Sequence, residues 1–210
     1  MKIRHLLVGA LAMLALNAAT TAAASAADEW LINGEELTVK HEIFAEGTLT
    51  FCNDKGGPLG EQVCLRCAML DKGNVGPTKF GEVTEVANSL GERDIKNCEN
   101  TLKCPAPNLI EGKNLPWKTE VVLSGGEFKE KIGPGTGGEP GFEISCTIGG
   151  LAVASSCVGK NTLTLSNVAG GVNEMFPPNA EPSTCTPGGA SQGLIEGTLL
   201  AFAAGTLSVA

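Results

Sequence analysis

EGTLTFCNDKGGPLGEQVCLRCAM, residues 46 to 69, places two alternating runs on either side of a Gly/Pro-rich loop. Alternation with a period of two is the mark of a strand with one buried face, and the intervening loop turns the pair into an antiparallel hairpin. With the hairpin centred near Pro58, Cys52 stands opposite Cys64 on one face, while Phe51, Val63 and Leu65 share the other. The second face is the core side, and Cys67 joins it.

The same stretch contains VCLRC, a C-x-x-C spacing used by both redox enzymes and zinc sites. A redox pair sits at a helix N-terminus, which lowers the thiol pKa, but here the pair lies in a strand with no helical pattern after it. Residues three apart on a strand are roughly 10 Å apart and point to opposite faces, whereas a disulfide needs Cα atoms about 4.4–6.8 Å apart. Cys64 and Cys67 are therefore expected to bond to different partners. Zinc requires a second ligand pair. Cys98 and Cys104 have the wrong separation for one, and His41 is the only histidine beyond the leader.

That leader is MKIRHLLVGALAMLALNAATTAAASAADEW. Lys2, Arg4 and His5 form a basic region, Leu6 to Leu16 an apolar run, and Ala24-Ser25-Ala26 a small-residue cleavage site, the pattern of a secretory signal peptide over residues 1–26. The apolar run falls short of the about 20 residues that a spanning helix needs, so an exported chain with no membrane insertion after cleavage is expected. In that compartment the even set Cys52, Cys64, Cys67, Cys98, Cys104, Cys146, Cys157 and Cys185 reads as a disulfide framework. The expected pairs are Cys52–Cys64 across the hairpin, Cys98–Cys104 closing a small loop, Cys146–Cys157 bracketing a second hairpin at Gly149-Gly150, and Cys67–Cys185 as the remainder.

Beyond the leader, the 28 glycines and the absence of any sustained helical periodicity point to an all-β fold, an antiparallel sandwich or barrel braced by disulfides. Asn33-Gly34 suits a type I′ turn, in which both central residues need positive φ. Further strands are expected at 82–86, 119–123, 127–132, 142–148, 152–157, 162–166, 172–176, 194–202 and 206–209. The Pro/Gly-rich stretches 133–141 and 176–193 read as surface connections. Residues 27–210 are expected to form a single domain, with a sub-boundary near 105–116 as the alternative.

Removing Lys2 and Arg4 with the leader leaves 13 Lys+Arg against 23 Asp+Glu, a net charge of −10. Such a balance disfavours nucleic acid and anionic lipid as partners. The acids are nearly all glutamate, and no D-x-[DN]-x-[DN]-G calcium loop occurs. A Ser-His-Asp arrangement would depend on His41 alone, and no G-x-S-x-G is present. Glu120, Glu127 and Glu143 could supply a glycosidase pair, but glutamates at alternate strand positions more simply form a solvated face. Trp30 and Trp117 could stack on sugars, or else be core residues. No catalytic, cofactor or metal site is expected.

Trp30 with Asn33-Gly34 near the mature N-terminus, NLPWKTEVVL at 114–123, PGFEISC at 140–146 and the terminal GTLSV together resemble a group of uncharacterised secreted bacterial proteins that are β-rich and contain cysteines. The resemblance implies export and β structure, and no activity. The expected function is a secreted, non-catalytic envelope or extracellular structural or interaction protein. The alternatives are a glycan- or small-ligand-binding module and a protease inhibitor.

Overall fold

The structure, a computed structural model, describes residues 28–57, 59–88, 98–102, 109–148, 150–178, 182–186 and 191–210. The leader, Cys104 and the Gly149 half of the expected turn lie outside these. Among the described residues there are only strands and turns. The strands are β1 (Trp30–Ile32), β2 (Glu35–Glu36), β3 (His41–Asn53), β4 (Val63–Val75), β5 (Phe80–Glu85), β6 (Cys98–Leu102), β7 (Leu109–Lys113) and β8 (Trp117–Ser124). After them come β9 (Glu127–Gly133), β10 (Gly141–Ile148), β11 (Leu151–Val158), β12 (Asn161–Val168), β13 (Gly171–Phe176), β14 (Ser183–Thr186), β15 (Ser191–Phe202) and β16 (Leu207–Val209).

Eight of these close a barrel. Antiparallel ladders run β3–β4–β5–β8–β9–β12–β13–β15 and return to β3, so that Glu174 of β13 faces Leu199 of β15, and Leu199 in turn faces Gly47 of β3. Closure leaves no free edge along this circuit, which removes the sites at which open sheets recruit other strands.

Strands β3, β4 and β15 outrun the barrel. Their far ends carry a second layer of strands in the order β15–β14–β11–β10–β7, with β6 beside β4. Residues 86–88 bridge this layer back to β4, because the Leu70 N–H donates to the Ala87 carbonyl and Gly112 of β7 donates to Val86. Period-two alternation fills both cores from one face of each long strand. On β3 the residues Ile43, Ala45, Leu49, Phe51 and Asn53 are buried, and on β4 Val63, Leu65, Cys67, Met69, Asp71 and Val75. The Phe51 and Phe142 rings meet at 5.2 Å, and the buried Asn53 amide donates to the Ser155 hydroxyl across the layers. The buried apolar residues of both layers form one contiguous cluster.

A small sheet of β2, β1 and β16 lies against β12 and β13. Asn33 and Gly34 both have positive φ, 57° and 77°, in the two-residue turn that joins β1 to β2. Asn167 holds β16 in place, accepting from the Val209 N–H at 2.8 Å and donating to its carbonyl at 2.9 Å. Two stretches contain strands that were not expected. β7 lies inside the alternative sub-boundary near 105–116, and β14 inside the expected connection 176–193, where STCT pairs with β11 and β15 despite its Pro/Gly surroundings.

Candidate functional site

Inside the barrel, three strands each direct one carboxyl into the core. Asp71 continues the inward series Val63, Leu65, Cys67 and Met69 on β4. Glu130 lies between Phe128 and Ile132 on β9, and Glu174 between Val172 and Phe176 on β13. All three are at least nine-tenths buried, at 9%, 5% and 7% exposure. They line a cavity of about 40 Å³ with Trp117, Thr119, Leu163 and Leu199.

Among the described residues no ion pair involves these three carboxyls. Lys72 and Glu82 lie at the margin of the same cavity, and each is engaged on the outer wall, Lys72 with Glu42 and Glu82 with Lys40. Burial pushes the Asp71 carboxyl up to about 8, against the opposing effect of a hydrogen bond from the Ala87 backbone. Among the described residues its Oδ1 has no hydrogen-bond partner. Glu130 rises to about 7 through burial, partly offset by its hydrogen bond with Thr119. Glu174 is held well above the carboxylate range by burial first, and then by the negative charges of Glu130 and Asp71. Like charges in a low-dielectric interior cannot all ionise, so the trio keeps protons at neutral pH.

Raised carboxyl pKa values often mark general acids. Here the space beside them admits water, and it falls far short of the about 300–1,000 Å³ of a ligand pocket. Among the described residues no group of acids, histidines and cysteines is arranged to hold a metal ion.

The cysteines serve the sheets. Cys52 and Cys64 are bonded directly across the β3–β4 hairpin, with Cα atoms 4.1 Å apart. Cys67 bonds to Cys98, its direct opposite on β6. This replaces both the expected Cys98–Cys104 loop and the expected Cys67–Cys185 bond: β6 runs alongside β4, so Cys98 never closes a local loop. Cys157 bonds to Cys185, its opposite on β14. The expected Cys146–Cys157 pair fails on register. The β10–β11 hairpin forms at the expected place, but it sets Cys146 against Val153 and Cys157 against Phe142. Cys146 is also oxidised, and no cysteine among the described residues is free.

The other residues weighed from sequence are dispersed. Glu120, Glu127 and Glu143 lie in ion pairs with Lys79, Lys129 and Lys113. His41 opens β3 opposite Val75. Trp30 is fully buried, and Trp117 is core as well, its Nε1 donating to the Lys113 carbonyl at 2.6 Å. Sequence reasoning missed Asp71, Glu130 and Glu174, although F-x-E-x-I at 128–132 and V-x-E-x-F at 172–176 carry the signal, an acid between two inward apolar neighbours.

These features define a closed, disulfide-braced antiparallel barrel with an acidic core. No protein-family model, curated protein or solved structure matches the chain.

Proposed function

We propose that this is an exported, non-catalytic structural or interaction protein of the cell envelope or extracellular space. The observation that carries the reading is the filled barrel interior. The only buried cluster of titratable groups among the described residues with strongly raised pKa values faces about 40 Å³, too little for a substrate. The disulfides belong to an oxidising compartment, which agrees with the signal-peptide pattern at the N-terminus. The resemblance to secreted β-rich bacterial proteins supports the same reading. The outer wall carries charged pairs such as Lys129–Glu127 and Lys72–Glu42, chemistry suited to water and not to lipid tails.

The test is a hydrolase and thiol-oxidoreductase panel on the oxidised protein, run beside a pull-down against cell walls and culture-supernatant proteins. No turnover together with retention by envelope or extracellular material is expected. Turnover that disappears in Asp71→Asn or Glu130→Gln would overturn the reading.

A further inference from the structure

The basic side chains of this acidic protein are distributed unevenly. Among the described residues, Lys40, Arg66, Lys72, Lys79, Lys113 and Lys129 each lie in an ion pair with a glutamate. Lys55, Lys118, Lys131 and Lys160 do not, and all but Lys55 line a single cleft on the outer wall of the barrel.

The register explains why they converge. Directly opposed residues share a face, and Phe80, Glu120, Lys131 and Thr162 form one outward row across β5, β8, β9 and β12. In the next row Lys118 faces Gly133. Lys160 precedes Asn161, whose partner is Ile132, so it comes level with Gly133 from the other side. Gly133 leaves the floor open, since a Cβ there would meet nothing within 4 Å. The cleft measures about 420 Å³, inside the range of small-molecule sites. Phe80 stands at its edge, 55% exposed.

The two glutamates directly opposed to these lysines are already engaged, Glu120 (opposite Lys131) by Lys79 and Glu82 (opposite Lys118) by Lys40. That leaves an uncompensated positive spot on a strongly negative molecule. The chain's overall charge repels an extended polyanion, whereas a compact anion feels mainly the nearby lysines. Lysine ammonium groups act as point charges toward phosphate and carboxylate oxygens, and an exposed ring adds apolar contact for a ligand body.

We propose that this cleft is a binding site for a small, multiply charged anion, a phosphate ester or polycarboxylate, held by Lys118, Lys131 and Lys160 with its apolar part against Phe80. The inference goes beyond the structural reading above, because Lys118, Lys131 and Lys160 project from the outer wall and not toward the interior trio of carboxyls.

The experiment titrates the oxidised protein with phenyl phosphate, inorganic phosphate and citrate at low salt, following backbone amide NMR shifts and calorimetry. Saturable shifts at Phe80, Lys118, Lys131–Gly133 and Lys160–Thr162 are expected, with affinity falling as salt rises. Phenyl phosphate binding above phosphate and citrate assigns the ester class, and citrate above phenyl phosphate assigns the polycarboxylate class. Lys118→Gln/Lys131→Gln/Lys160→Gln should weaken binding by about tenfold or more, and Lys55→Gln should leave it unchanged. Phe80→Ala should weaken phenyl phosphate more than inorganic phosphate. If the triple variant does not fold, Lys131→Gln alone is compared with Lys55→Gln. No saturable shift with any probe, or equal losses in Lys131→Gln and Lys55→Gln, overturns the proposal.

Discussion

Asp71, Glu130 and Glu174 make the barrel acid-stabilised. In an unfolded chain carboxyls of this kind lose their protons near pH 4, roughly. Folded, Glu130 keeps its proton to about 7 and Asp71 to about 8, and Glu174 is raised as well. Between those limits the native state binds more protons than the unfolded one, so stability falls as pH rises. It is fully present below the unfolded value, and these groups take nothing further once pH has passed their folded values. The melting temperature should therefore drop by several degrees, roughly 5 °C or more, between about pH 5 and pH 8.5. Asp71→Asn/Glu130→Gln/Glu174→Gln should flatten that slope, and a wild-type melting profile independent of pH over this window would contradict the account. Glu130 and Glu174 are legible in principle from their apolar neighbours at i±2, whereas Asp71, followed by Lys72, Gly73 and Asn74, is not. The two glutamates were overlooked because glutamate at alternate strand positions usually faces water, and β9 does place Glu127, Lys129 and Lys131 outward in just that way.

At the scale of strands, each disulfide with both partners described joins directly opposed residues of neighbouring strands. The Cys67–Cys98 bond ties the short β6 to β4, so Cys67→Ser/Cys98→Ser should cost about 2–4 kcal/mol in denaturant unfolding and release β6 first. Gly193 on β15 is coupled to another bridge, since a Cβ there would lie 2.7 Å from the Cys185 Sγ and 2.8 Å from the Cys157 Sγ. Gly193→Ala should be strongly destabilising in the oxidised protein and only partly relieved in a Cys157→Ser/Cys185→Ser background, because the Cys157 Cβ, 2.8 Å from the added methyl group, remains. Additive losses in that double-mutant cycle would show that the bridge does not pack there.

The Cys52–Cys64 hairpin was readable because its strands alternate cleanly about Pro58. β4 beyond Met69 was not, because Asp71, Lys72, Gly73 and Asn74 look like a turn. Gly73 serves a different purpose: a Cβ there would lie 2.5 Å from the Glu82 carbonyl oxygen, so glycine lets β5 approach. β7 and β14 escaped notice for a similar reason, being short and flanked by Pro and Gly. The Cys67–Cys98 pairing depends on β6 lying beside β4, a long-range relation that local spacing does not encode.

For the whole molecule, composition and the spread of turn signals were enough to reach an all-β, disulfide-braced chain, but closure was not. Whether strands form an open sandwich or a barrel turns on the last ladder, β13 against β15, between segments that carry no mark of each other. Export is tested independently by N-terminal sequencing of secreted material, which should begin at Ala27 or within two residues of it; an intact Met1 would contradict the signal-peptide reading. The central claim is that closure gathers three acids around a space too small for substrate. Site-resolved NMR titration of the side-chain carboxyls of the native protein tests it most directly. The account predicts that Asp71 titrates near about 8 and Glu130 near about 7, with Glu174 well above the usual carboxylate range, while Glu127, paired with Lys129 on the outer wall, titrates below it. Ordinary titration of all three near pH 4, roughly, would mean that they face water and that the barrel is not closed as described.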